Sequence, residues 1–274
     1  MESETGEAML LAVDVGNSHT VSGIFSGDEL VAEWRLQSDR DRTGDELAIR
    51  YHTLLEMQHI RPEEITGFIV SSVVPTLETA WMSYAARYLG GQLTGGPLSV
   101  DHTTRTDIAI AAENPAEVGA DRIVNSVAAW HRFRSPVIVI DFGTAITFDC
   151  INGSREYLGG AIVPGLGISL DALAARTAKL PRVDIDKPPR SVIGRTSVDA
   201  IRSGLLVGFG GLVDRLVDRL SAELAASNSP VNIIGTGGMA HLIAPYSRHL
   251  QIIEPHLTLR GLQIIYALNS GHAR

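Results

Sequence analysis

The chain has 274 residues, 45% of them hydrophobic and 20% charged, with a formal net charge of −8 at pH 7 and a single cysteine. No apolar run approaches the roughly 20 residues that cross a bilayer. The acidic balance leaves no domain-scale basic face for nucleic acid, and one cysteine, Cys150, provides for neither an intrachain disulfide nor a thiolate metal cluster.

These limits leave a globular chain of one large domain or two average ones, expected to be a cytoplasmic enzyme without membrane or nucleic-acid partners. The leader MESETGEA is acidic and polar, unlike a signal peptide, and reads as a short disordered segment. Residues 9–36 predict three strands: LLAVDV is continuously apolar, while TVSGIFS and ELVAEWRL alternate around a Ser26-Gly27-Asp28 turn. A helix is predicted from Thr43, with Thr43 and Glu46 at capping-box spacing and Leu47, Leu54, Leu55 and Met57 as its apolar positions. The strand GFIVSSVV, a helix opened by Pro75 and running to about Leu89, and a glycine-rich break over residues 89–97 complete the first half.

A linking helix is predicted over about residues 116–133, and the pattern then repeats. VIVIDF, AITFDCI and EYLGGAIV are three strands, followed by a helix from near Gly167 and a proline-rich excursion over residues 180–189. A long helix is predicted over about 197–226, then the strand VNIIG, a helix in GGMAHLIA and a last helix over about 257–269. Gly204, Gly208, Gly210 and Gly211 lie inside the long helix, where each costs about 0.5–1 kcal/mol relative to alanine. Close packing, within the fold or across a subunit interface, is the plain account of them.

Two of these strands end alike. LLAVDVGNSHT and VIVIDFGTAIT each run into an aspartate (Asp14, Asp141), a glycine two positions on (Gly16, Gly143) and then hydroxyl side chains. Such a tip offers a carboxylate and backbone N–H groups to a phosphate and its metal ion, with the glycine permitting close approach. Either motif alone is an ordinary turn. The pair, each closing a strand that opens one half of the chain, points to a duplicated nucleotide-binding fold.

Together with GTGG at 235–238, the two hairpins resemble the phosphate and adenosine motifs of the acetate and sugar kinase/Hsp70/actin superfamily. Within it, NPAEVGADRIVNSVAAW (114–130), YLGGAIVPG (157–165), Leu180-Pro181, IGRTSVDAIRSG (193–204) and HLTLRGL (256–262) resemble the signature of type III pantothenate kinases. The resemblance covers the chain from about Met9 to its end. It implies two ribonuclease-H-like (actin-like ATPase) α/β domains, at 9–115 and 116–274, with an interdomain cleft. It implies phosphorylation of pantothenate by ATP to 4′-phosphopantothenate, the first step of coenzyme A biosynthesis, by a homodimer that uses Mg²⁺ and a monovalent cation, K⁺ or NH₄⁺. Two alternatives are a related small-molecule kinase and a catalytically weak regulatory protein of the same fold.

By the same resemblance, Asp14, Val15, Gly16, Asn17, Ser18, His19, Thr20, Val21 and Thr144 bind ATP, with Asp14 holding Mg²⁺ and Asp141 the monovalent cation. Gly119, Ala120, Asp121, Arg122 and Thr196 bind the substrate, and Asp121 is the candidate base. Each has a plainer reading. His19 is an exposed turn histidine, Asp141 a structural turn residue, Asp121 an acidic residue at a helix start, and Thr196 a helix cap. Ala112 stands where many family members carry a tyrosine lining the substrate pocket.

Overall fold

The computed structural model describes residues 8–224 and 230–270. The first seven residues of the leader, and positions 225 and 226 of the predicted long helix, lie outside the described residues. Contacts divide the described chain into two units. The first comprises residues 8–107, 113–128 and 258–270, and the second comprises 108–112, 129–224 and 230–257.

The first unit is built on β1 (Met9–Val15), β2 (His19–Ser26), β3 (Glu29–Gln37), β4 (Ile65–Ser72) and the short β5 (Leu98–Ser99), in the order β3-β2-β1-β4-β5. The first three strands are antiparallel, and β1 runs parallel to β4. Alternation along β1 sends Leu11, Val13 and Val15 into one core with Leu47, Tyr51 and Leu55 of α1 (Gly44–Met57) and Leu77 and Trp81 of α2 (Pro75–Tyr84). Thr43 and Glu46 form the expected capping box, each binding the other's backbone N–H. The helix opened by Pro75 changes to a π-type turn over Ala85–Leu89.

The opposite face of this sheet meets α7 (Leu257–Asn269), and Gly261 of α7 packs in turn on Val124 of α3 (Ala120–Phe133). A side chain at Gly23 would press on Leu259, and one at Gly67 on Tyr266. α3 starts four residues later than its pattern predicts. Asn114-Pro115 leads into a separate 3₁₀ turn over Pro115–Glu117, because proline restricts the residue before it to extended backbone.

The second unit repeats the plan with β7 (Val137–Phe142), β8 (Ala145–Ile151), β9 (Glu156–Pro164) and β10 (Asn232–Thr236). Its order is β10-β7-β8-β9-β6, the two-residue strand β6 (Ala109–Ile110) adding an edge that the sequence does not betray. β7 pairs antiparallel with β8 and parallel with β10, as β1 does with β2 and β4. The four-strand order β3-β2-β1-β4 thus recurs as β9-β8-β7-β10, the core order expected of a ribonuclease-H-like sheet, while the short β5 and β6 lie at non-equivalent edges. Ile138, Ile140, Phe142, Ile146 and Phe148 form the second core with residues of α4 (Leu166–Arg176), α5 (Ser197–Leu224) and α6 (Ala240–Ile243).

Of the α5 glycines, close packing explains Gly210, where a side chain would collide with the Tyr246 backbone. Gly204, Gly208 and Gly211 have nothing within 4 Å of that position among the described residues. No helix among the described residues is long and apolar enough to cross a membrane.

Candidate active site

The first hairpin closes through the Gly16 N–H, which donates to the His19 carbonyl at 3.0 Å. Because Val13 and Val15 face the core, Asp14 faces the opposite side, that of α7, between Val21 of β2 and Ser71 of β4 in the strand register. The Val15 side chain is fully buried, and its carbonyl accepts the Val73 N–H at 3.1 Å.

A neighbour the sequence did not single out shapes the tip. The segment after β3 folds over it. Ser38 Oγ donates to the Gly16 carbonyl at 2.7 Å, and the Ser38 N–H donates to the Ser18 carbonyl at 3.0 Å. The Thr20 hydroxyl lies 3.0 Å from Ser38 Oγ, and Arg40 donates to Asn17 Oδ1 at 2.9 Å. In sequence, Ser38-Asp39-Arg40-Asp41-Arg42 looks like a solvated charge run, and only the antiparallel return of β3, which brings Ser38 opposite Ser18, reveals the role. His19 is exposed, with Nδ1 3.4 Å from an Arg35 nitrogen. Partial burial, and then the Arg35 charge, hold its pKa below the usual histidine value.

Asp121 belongs to the same unit. The Gly119 carbonyl accepts the N–H groups of Arg122 and Ile123 at 3.1 and 3.2 Å, turning the chain into α3. Asp121 Oδ1 accepts the Arg122 N–H at 2.8 Å and folds back over Gly119, where a Cβ would come within 2.6 Å of it. The same Cβ position is 3.7 Å from Val73 Cγ1. Val73 follows β4 directly, so the GADR turn stands beside the strand ends that carry Asp14 and Ser71. Burial raises the Asp121 pKa, the Arg122 N–H and charge opposing it only in part. Ala120 is buried and Arg122 partly so. One turn further along α3, buried Asn125 accepts a hydrogen bond from Thr258 of α7 at 2.8 Å, fixing the helix that presents Asp121.

In the second unit, Asp141 pairs in register with Thr147 and with Thr236, the threonine of GTGG. Gly237 follows with φ +87°, and a Cβ there would collide with Asp141 Oδ1 and the Phe142 backbone. This glycine is required twice, by the left-handed backbone and by the carboxylate it cradles. Thr144 is exposed, and its carbonyl accepts the Gly165 N–H at 3.1 Å. On the same sheet face, Asp149 is fully buried, with hydroxyl donors from Thr147 at 3.0 Å and Tyr157 at 2.9 Å. Asp149 went unnoticed in sequence because it sits mid-strand rather than at a turn.

Thr196 is exposed at the start of α5. Its hydroxyl bonds to Asp199, taking the Asp199 N–H and donating to the carboxylate, both at 3.1 Å. Beside it, Leu173, Leu180, Ser197, Ile201 and Leu205 line an open, mainly apolar recess of about 490 Å³. The structure thus groups Asp14, Val21 and the GADR turn in one unit, and Asp141, Thr144 and Thr196 in the other.

Among the described residues no three His, Cys, Asp or Glu side chains converge as a metal cage. The donors at Asp14 still suit magnesium, which prefers oxygen and is often held by one or two carboxylates plus phosphate oxygens and waters. Asp14 with the buried Ser71 hydroxyl beside it is such an all-oxygen set.

Similarity to known proteins agrees with this arrangement. The type III pantothenate kinase family model matches residues 10–219. The chain is 47% identical to a type III pantothenate kinase of Desulfotalea psychrophila, over 94% of this chain and 97% of the relative. It is 45% identical to that of Moorella thermoacetica, over 96% and 100% respectively. Its fold is shared with a ROK family protein of Streptococcus pneumoniae (TM-score 0.54, 11% identity, 97% and 100% of the two chains). A ROK family glucokinase of Streptomyces griseus has it too (TM-score 0.50, 13% identity, 95% and 98%). With its repeated strand order, its two Asp-x-Gly hairpins and a family match over most of its length, the chain belongs to the type III pantothenate kinases.

Proposed function

We propose that the protein transfers the γ-phosphoryl group of ATP to the primary hydroxyl of pantothenate, giving 4′-phosphopantothenate and ADP in the first step of coenzyme A biosynthesis. The observation that carries this reading is the placement of Asp121, a carboxylate with a raised pKa, at the turn beside the strand ends that bear Asp14. Asp121 accepts the pantothenate hydroxyl proton as that oxygen bonds to the γ-phosphorus and the bond to the β–γ bridging oxygen breaks. The Gly119-Ala120 backbone and Arg122 orient the acceptor, and Thr196 adds a hydroxyl once it exchanges its bond to Asp199. Asn17, Ser18, Thr144 and the backbone of the first tip bind the nucleotide. His19, exposed on the same tip, contacts the nucleotide phosphates.

Magnesium at Asp14 supplies neutralisation of phosphate charge. Asp141, cradled by Gly237, holds the monovalent cation, which balances a carboxylate in a partly buried setting. A homodimer is favoured by α5, whose Gly204, Gly208 and Gly211 leave an open face on which a second copy could pack closely. The cytoplasm is where its substrates would be met.

Incubation with Mg–ATP and a panel of small alcohols and hydroxy acids, with mass identification of products, tests the reading. Phosphorylated pantothenate as the dominant product supports it. Preference for another alcohol makes the chain a related kinase, and ATP binding without any product makes it a regulatory relative.

A further inference from the structure

Ser71 is fully buried, and its hydroxyl has no hydrogen-bond partner among the described residues. A buried hydroxyl left without a partner costs about 1–3 kcal/mol, so its retention calls for an explanation. Its place in the fold supplies one. Val70 enters the α1–α2 core, so Ser71 projects to the other face, the side of Gly67, where Tyr266 of α7 packs. Its register partner on the adjacent parallel strand is Asp14, on that same face. Neighbouring strands lie about 4.7–4.9 Å apart, close enough for one water to touch both side chains. The GADR turn is beside them through Val73.

We infer that Ser71 is a positioning residue for the divalent ion, its hydroxyl binding a water in the shell of the metal held at Asp14. The inference rests on the reading of Asp14 as the magnesium residue. With metal bound, the hydroxyl fixes the water and thereby the angle of the Asp14 carboxylate. Side chains that support metal ligands in this indirect way typically change affinity by about 10–100-fold when removed.

The test is Mn²⁺ binding, followed by electron paramagnetic resonance on the full chain with a non-hydrolysable ATP analogue present. Wild type is compared with Ser71→Ala, Ser71→Thr and Asp14→Asn. The expected result is Mn²⁺ affinity about tenfold weaker in Ser71→Ala, with partial recovery in Ser71→Thr. Without metal, Ser71→Ala should melt at or above the wild-type temperature, since it loses only an unsatisfied hydroxyl. Wild-type Mn²⁺ affinity in Ser71→Ala, with binding lost in Asp14→Asn, overturns the role of Ser71 alone. Wild-type affinity in Asp14→Asn overturns the metal assignment on which it rests. A lowered metal-free melting temperature in Ser71→Ala with unchanged Mn²⁺ affinity makes Ser71 a packing residue and contradicts the inference.

Discussion

Asp121 shows how one carboxylate can be costly to the fold and useful to the chemistry. Burial opposes its charged form, so its pKa lies above the ordinary aspartate value. A carboxyl raised in the folded state carries no penalty below the unfolded pKa, and the penalty grows as pH rises through that value to the folded pKa. Asp121→Asn is therefore expected to melt above wild type at pH 7, with the two curves converging below about pH 4. The same variant should lose turnover by roughly 10²–10⁴-fold. In wild type, the acid limb of kcat/KM should lie above the range of an ordinary aspartate and should vanish in the variant's residual activity. Gly237 tests the opposite case, a residue needed for its lack of a side chain. Gly237→Ala forces a side chain into left-handed backbone, costing about 1–2 kcal/mol, and pushes it against Asp141. Urea unfolding should show at least that loss, accompanied by weaker dependence on the monovalent cation.

At the scale of elements, periodicity and caps carried most of the information. The Thr43–Glu46 box begins α1 where the sequence places it, and Thr43→Ala should lower stability by about 1 kcal/mol in chemical denaturation. Strands were legible because their buried faces alternate or run continuously apolar. What could not be read was short or came from elsewhere in the chain. β5 and β6 have two residues each and no pattern of their own, existing only because a sheet edge receives them. Ser38 and Arg40 look like surface residues until the antiparallel return of β3 brings them to the first tip. Thr196 was recognisable as either a cap or a substrate residue, and its bonds to Asp199 make the cap visible without the substrate. Ser38→Ala, which unties Gly16 and Thr20 together, should raise the KM for ATP several-fold while leaving pantothenate binding near wild type by calorimetry.

At the scale of the molecule, duplication was readable in the two Asp-x-Gly strands because a ribonuclease-H-like sheet repeats its order even where residues differ. Chemistry at particular side chains was less readable, since an aspartate at a turn has the same local signature whether it binds a cation or caps a loop. The second unit's Asp141 makes that difference measurable. Rates at matched ionic strength should be higher in potassium or ammonium than in sodium, and Asp141→Ala should be indifferent among them; equal rates in all three would leave Asp141 a structural residue. The central claim is that this fold presents Asp121 to the pantothenate hydroxyl for phosphoryl transfer from ATP. Its most direct test is pantothenate-dependent ADP release, measured side by side in wild type and Asp121→Asn. The account predicts release that requires pantothenate in wild type and falls by at least about a hundredfold in the variant, with ATP binding retained. Release that is independent of pantothenate, or equal in the two proteins, would contradict it.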